Sequence, residues 1–282
     1  MTDKMKNLAV RTLSGIVLAA VVLGAVAWSP WSFGALLLLL LVGGMHEFYA
    51  LAEARGDRPQ RLIGMVTGAV LFAVNFAFLS GSAGAAGGFR PLLAAGMAFL
   101  LLLLPLMLVC ELYRRGENPA ANVGVTLLGV CYVALPLTLM AYIPFVGRYA
   151  WNPWTMLFFV FIIWANDVFA YLVGMAFGRH RLFKRLSPKK SWEGFFGGVA
   201  GALVMGYVAS RCMGEAWWVW IGLALVAAVT GVLGDLVESM FKRAAGVKDS
   251  GTIIPGHGGI LDRFDAMLLA APFVVVYLWF VL

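Results

Sequence analysis

Residues Trp217–Leu282 read WWVWIGLALVAAVTGVLGDLVESMFKRAAGVKDSGTIIPGHGGILDRFDAMLLAAPFVVVYLWFVL. Two apolar runs, Trp217–Val237 and Arg263–Leu282, bracket a charged, glycine-punctuated segment, Ser239–Asp265. Each run is about 20 residues long, the length an α-helix needs to cross the hydrocarbon of a bilayer. A transmembrane strand needs only about 10 residues and alternates in polarity. The segment between the runs cannot sit in hydrocarbon. It sets Lys242, Arg243, Lys248, His257 and Arg263 beside Asp249, Asp262 and Asp265, more charge than a link between two helices requires. Cations and carboxylates this close suggest a site for phosphates and a metal ion.

The pattern extends through the chain. Of its 282 residues 62% are hydrophobic and 12% charged, against about 25% charged in soluble domains. Lipid admits only helices or closed barrels as spans, so the sequence reads as an all-α polytopic membrane protein. Nine transmembrane helices are predicted: Leu8–Trp28, Trp31–Leu51, Leu62–Ser80, Pro91–Leu112, Asn122–Val146, Trp154–Phe177, Gly194–Cys212, Trp217–Val237 and Arg263–Leu282. The fifth contains Pro136 and ends near Pro144, which predicts a kink. Ala25-Val26-Ala27 resembles a leader cleavage site, but the preceding apolar run is long for a leader and is read as a retained span. Cys110, Cys131 and Cys212 fit no metal spacing and read as packing residues.

Charge sets the expected orientation. With the N-terminus cytoplasmic, 18 of the 21 Lys and Arg residues fall on one side, leaving Arg90, Arg148 and Arg211 on the other. The positive-inside rule then places the C-terminus in the periplasm. The first five spans hold almost no ionisable residue away from their ends, and carboxylates enter the spans from Trp154 onward. Residues 1–150 therefore read as a five-helix scaffold, and 151–282 as a four-helix catalytic region with cytoplasmic loops, within one integrated domain. His46 and Glu47, near the cytoplasmic end of the second span, read as interfacial.

Several constellations can carry chemistry. Asp167 lies inside the sixth span, where an ionised carboxylate is costly without a wet cavity or a cation. Asp167, Ala170 and Gly174 share a helix face, which fits a helix lining a packed interior. Ser187-Pro188-Lys189-Lys190-Ser191 sets two lysines before a helix that Ser191 can cap, with Glu193 in its first turn. Paired lysines there suit a polyphosphate. Gly194/Gly198 and Gly197/Gly201 read as close-packing pairs. Asp235 and Glu238, three apart on one face, read as closing the eighth span, where the helix dipole disfavours them and a nearby cation is expected. Asp262 and Asp265 open the last helix, preceded by Pro255-Gly256-His257-Gly258-Gly259, whose glycines let N–H groups approach phosphate oxygens. Arg263 can clamp a phosphate through two bonds. Asp235, Asp262 and Asp265 with phosphate oxygens would make a Mg²⁺ site.

Taken together, Ser239-x2-Lys242-Arg243-x4-Lys248-Asp249-x-Gly251-x2-Ile254-Pro255-x-His257-Gly258-Gly259-x2-Asp262-Arg263-x-Asp265 resembles the signature of the phosphatidate cytidylyltransferase (CDP-diacylglycerol synthase) family. Asp167-x2-Ala170-Tyr171-x2-Gly174, Ser187–Ser191 and Gly234-Asp235 match its other recurring segments. The resemblance implies transfer of the cytidylyl group of CTP to phosphatidate, giving CDP-diacylglycerol and pyrophosphate. It implies a Mg²⁺-dependent, often homodimeric enzyme of the bacterial inner membrane, facing the cytoplasm, with K⁺ as a candidate second cation. Metal acids would be Asp235, Asp262 and Asp265; Lys248 and Arg263 would join them in catalysis. Substrate contacts would come from Asp167, Lys189, Lys190, Ser239, Lys242, Arg243, Asp249, His257, Gly258 and Gly259. No nucleic-acid partner is expected. Three alternatives stay open: a CTP-dependent polyprenol kinase, a CDP-archaeol synthase, and, from another class, a lipid or ion transporter, which would leave Pro255–Asp265 unexplained.

Overall fold

The computed structural model describes residues 3–81, 90–114, 116–146, 150–256 and 258–282. Among them, nine helices are long and apolar enough to cross a membrane, and the chain is a multi-pass membrane protein, as the apolar runs predict. It divides into two compact units, Met1–Tyr142 with Ala244–Arg263, and Ile143–Arg243 with Phe264–Leu282.

The first unit contains α1 (Asp3–Trp28), α2 (Pro30–Ala54), α3 (Arg61–Gly81), α4 (Arg90–Arg114), α5 (Pro119–Gly129), a π-helical turn (Val130–Ala134) and α6 (Leu135–Met140). Only Ser29 separates α1 from α2. It caps α2 reciprocally: its hydroxyl accepts from the Ser32 N–H, and the Ser32 hydroxyl accepts from the Ser29 N–H, both at 3.1 Å. Pro30 follows at the first helical position, where a missing N–H costs nothing. Phe33, Leu37, Leu41, Met45 and Phe48 form a buried stripe at helical spacing along α2, which packs on α1, α3, α5 and the π-turn.

The irregularity expected at Pro136 takes a specific form. Proline cannot donate to the carbonyl four residues back, and its ring crowds that carbonyl. The helix widens just upstream, where the Leu135 N–H reaches the Val130 carbonyl, five residues back.

A buried polar network locks the α2–α3 connection. The Glu111 carboxylate, 3% exposed, accepts from Gln60 Nε2 at 2.8 Å, Asn122 Nδ2 at 2.6 Å and Arg114 Nη1 at 3.0 Å. The Arg58 N–H donates to Asn122 Oδ1 at 2.9 Å, and the Gln60 N–H to Thr126 Oγ1 at 2.8 Å. Donors replace the water that this carboxylate has lost.

The second unit contains α7 (Pro153–Phe177), strands β1 (Arg181–Phe183) and β2 (Ser187–Ser191), α8 (Trp192–Met213), α9 (Trp217–Ala244) and most of α10 (Leu261–Val281). Asn152 caps α7, its Oδ1 accepting from the Trp154 N–H at 3.1 Å. As the glycine pairs predict, α8 lies close against α7: a Cβ on Gly198 would stand 2.7 Å from Asn166 Oδ1. Phe158 of α7 meets Trp220 of α9 edge-to-face at 5.7 Å. The Tyr277 hydroxyl of α10 donates to the Val219 carbonyl of α9 at 3.0 Å.

Two features differ from the sequence reading. The connection between the sixth and seventh spans is an antiparallel hairpin, with Phe183 opposite Ser187 and Arg181 opposite Ser191. And α9 does not stop near Val237; it continues to Ala244. The extension is polar and sustains itself by i,i+4 pairs: Ser239 Oγ to Asp235 Oδ1 at 3.3 Å and Lys242 Nζ to Glu238 Oε2 at 2.5 Å. Lys242 and Arg243 also suit the negative end of the helix dipole.

Glu111→Gln places an amide N–H₂ among three donors. It is expected to cost about 1–3 kcal/mol, read as a lower thermal midpoint of the detergent-solubilised protein. An unchanged midpoint would refute the network's role.

Candidate functional site

In the second unit, α9 presents Asp235 and Glu238 on one face, and α10 brings Asp265 to them. One carboxylate oxygen from each lies within 4.8 Å of the others. Gly234 permits the approach, since a Cβ there would collide with the Asp265 carbonyl and stand 3.1 Å from Ala266 Cα. Lys190 Nζ meets Asp235 Oδ2 at 2.5 Å, and Lys242 Nζ meets Glu238. Two ammonium groups thus face three carboxyl groups. Hard oxygen donors this close are the ligand type of a divalent cation, and the residues fit one. Because α9 runs on to Ala244, Asp235 and Glu238 stand more than one turn before its end. The dipole argument made from the sequence does not hold; the crowding of like charges itself calls for a cation.

A cavity of about 490 Å³ opens beside this cluster, lined in part by Asp167, Tyr171, Arg181, Lys189, Lys190 and Asp235. Its size is that of a small-ligand pocket. Asp167 is exposed and lines this cavity, while its neighbour Asn166, 1% exposed, takes the packed position against α8. Ser191 caps α8 as predicted, its Oγ accepting from the Gly194 N–H at 3.1 Å, which fixes Lys189 and Lys190 just ahead of the helix. Glu193 fastens the start of the hairpin: its carboxylate accepts from the N–H of Arg179 at 3.1 Å and of His180 at 3.2 Å, and meets His180 Nδ1 at 2.6 Å.

In the first unit, Ala244–Arg263 folds into a compact loop. Asp262 Oδ2 gathers it, accepting from the Ser250 N–H at 2.8 Å, the Ser250 hydroxyl at 2.9 Å and the Gly259 N–H at 2.8 Å. The Ile254 N–H donates to the Gly258 carbonyl at 2.9 Å, and Gly258 turns the chain at φ +86°, a value that only glycine adopts readily. Arg11 Nε donates to the Gly256 carbonyl and Ser14 Oγ to the Pro255 carbonyl, both at 2.9 Å. Arg11, Arg263, Asp249 and glycine backbone line a polar cavity of about 600 Å³.

The predicted residues thus fall into two groups. Asp167, Lys189, Lys190, Asp235, Ser239, Lys242 and Asp265 belong to the second unit with Arg243, which is exposed near the end of α9; Lys248, Asp249, Gly258, Gly259, Asp262 and Arg263 belong to the loop of the first. Ser239 and Lys242 are buried and bond to the acids of the cluster. His257 lies outside the described residues. Glu238 joins the cluster although the family resemblance does not supply it; its spacing from Asp235 was the visible signal. Arg11 and Ser14 carried none, because both lie at the start of the predicted first span, where a basic residue reads as an orientation signal. Glu47, read as interfacial, is 3% exposed.

The chain matches the model of the cytidylyltransferase family over residues 9–281. It is 32% identical to a phosphatidate cytidylyltransferase of Synechocystis sp., with 95% of each chain covered. It is 34% identical to one of Brucella abortus, over 97% of this chain and 94% of the relative. It is 33% identical to one of Haemophilus influenzae, over 96% of this chain and 99% of the relative.

If the cluster holds a divalent cation, Mg²⁺ raises the thermal midpoint of the protein, by the equivalent of about 2.7 kcal/mol at a hundred times the dissociation constant. Glu238→Gln and Asp265→Asn should each flatten that rise. An equal rise in all three proteins would remove the cluster as a cation site.

Proposed function

Because this chain belongs to the cytidylyltransferase family, we propose that it transfers the cytidylyl group of CTP to phosphatidate, giving CDP-diacylglycerol and pyrophosphate for phospholipid synthesis. One observation carries this reading. The three-acid cluster, with Lys190 bonded to Asp235, borders a cavity that also presents Lys189 and Arg181. That arrangement suits the phosphates of a nucleotide.

In the reaction, a phosphate oxygen of phosphatidate bonds to the α-phosphorus of CTP. The bond from that phosphorus to the bridging oxygen breaks, and pyrophosphate leaves with the electron pair. The attacking oxygen is already an anion at neutral pH, so no Ser, Cys or His nucleophile is needed. The barrier is the approach of two anions and the charge that builds on the leaving group, which fixed cations relieve. Lys189, Lys190 and Arg181 serve the cavity; Lys248, Arg263 and the backbone of Gly258 and Gly259 serve the loop, with Arg243, Asp249 and His257 as further substrate contacts. Asp167 orients substrate within the cavity. Ser239 and Lys242 act through Asp235 and Glu238. These two acids and Asp265 would hold Mg²⁺; separately, the family resemblance implies a metal role for Asp262 and K⁺ as a second cation. A cation held there would neutralise phosphate charge. The segregation of 18 of 21 basic residues supports a site on the cytoplasmic face of a bacterial inner membrane, and a homodimer belongs to the same proposal.

Product analysis with labelled CTP and phosphatidate should give CDP-diacylglycerol and pyrophosphate; CDP with a phosphorylated lipid alcohol would overturn the assignment. Asp262→Asn keeps an oxygen that can accept the loop's hydrogen bonds. It should abolish pyrophosphate release in a folded protein, and near-normal turnover would withdraw Asp262 from the charge chemistry.

A further inference from the structure

The five N-terminal spans read as scaffold, yet one of their side chains reaches the signature loop. Glu47 lies on α2, 3% exposed. Its Oε1 accepts from the Ile260 N–H at 2.9 Å, and its Oε2 from the Leu261 N–H at 2.9 Å. The Ser250 hydroxyl stands 3.1 Å from Oε2 and 2.9 Å from Asp262 Oδ2, so its one proton is shared between two carboxylates. Ile260 and Leu261 are the entry to α10, whose first N–H groups have no partner inside the helix. A carboxylate there also meets the positive end of the helix dipole. Glu47 therefore caps a helix to which it is not adjacent in sequence.

The neighbouring residues are shaped to it. A Cβ on Gly259 or Gly251 would collide with the Glu47 carboxylate. One turn earlier on α2, a Cβ on Gly43 would strike the Ile260 side chain, and one on Gly44 would stand 3.4 Å from Leu261 Cδ2. Charge, hydrogen bonds and shape converge on one side chain.

We propose that Glu47 is a positioning residue, holding the loop at the geometry in which Asp262, Arg263 and Lys248 act. The proposal rests on the cytidylyltransferase reading for its catalytic consequence, but not for its structural one. Glu47→Gln, which places an amide among the same donors, should lower kcat on the order of a hundredfold with little change in the KM for CTP, and Glu47→Asp should restore part of it. Without any substrate, trypsin should cut after the exposed Lys248 faster in Glu47→Gln than in wild type. Glu111→Gln, a second buried carboxylate in the same unit that bonds instead to Gln60, Asn122 and Arg114, is the control: it lowers the thermal midpoint but leaves cleavage after Lys248 at the wild-type rate. Wild-type cleavage and kcat in Glu47→Gln would overturn the proposal. So would a cleavage increase that Glu111→Gln reproduces, since both would then report general loosening. Should Glu47→Gln fail to accumulate, Ser250→Ala removes one donor to the same carboxylate and must raise cleavage after Lys248, or the proposal falls. If the wild type makes no CDP-diacylglycerol, the reaction assignment fails while the cleavage comparison stands.

Discussion

A carboxylate withdrawn from water costs several kcal/mol unless donors or cations take the water's place. Glu47, Glu111 and Glu238 are each nearly inaccessible, and each is met. Glu111 gathers three side-chain donors and closes a connection between helices. Glu47 gathers two backbone N–H groups and a hydroxyl and closes a loop. Glu238 is met by an ammonium and stands with two more acids. Glu47 is satisfied by neutral donors, and Glu111 by donors that include the Arg114 guanidinium. The third sits where charge of one sign accumulates, and that difference separates carboxylates that organise the chain from those that face chemistry.

The same constraint explains why the spans were legible in the sequence. Hydrocarbon tolerates so few charges that nine apolar runs stand out without knowledge of any contact, and a proline, Pro136, or a helix-capping serine, Ser191, acts through its immediate neighbours. Residues whose role is set by distant partners were not legible. Glu47 bonds to groups 203 to 214 residues further along the chain, and nothing beside it announces them. The end of α9 was misplaced for a related reason: apolarity fades near Val237, but i,i+4 pairing continues the helix beyond it. Of the acids, Asp235 and Asp265 were identified from spacing and motif; the spacing of Glu238 from Asp235 pointed to a cation, but its place in one cluster with Asp265 showed only where α9 meets α10.

Lys190 gives the cluster a second property. Its ammonium occupies Asp235 at 2.5 Å while also lining the adjoining cavity. Lys190 is therefore shared between the acid cluster and any anion that enters, and a phosphate arriving in the cavity would compete with Asp235 for it. The hairpin and the Ser191 cap fix where that ammonium can reach.

The π-turn at Val130–Ala134 has a consequence for how this span tolerates change. An α-helix advances by about 100° per residue, and the wider turn accommodates one residue more than a regular helix would. Leu137, Thr138 and Met140, all buried, owe their inward phase to that extra residue. Deleting one residue within the turn would restore a regular α-helix and leave these side chains facing inward, whereas forcing the turn into α-geometry at its present length would rotate them by about 100° away from the core. In this span the phase is encoded by residue count as much as by residue type.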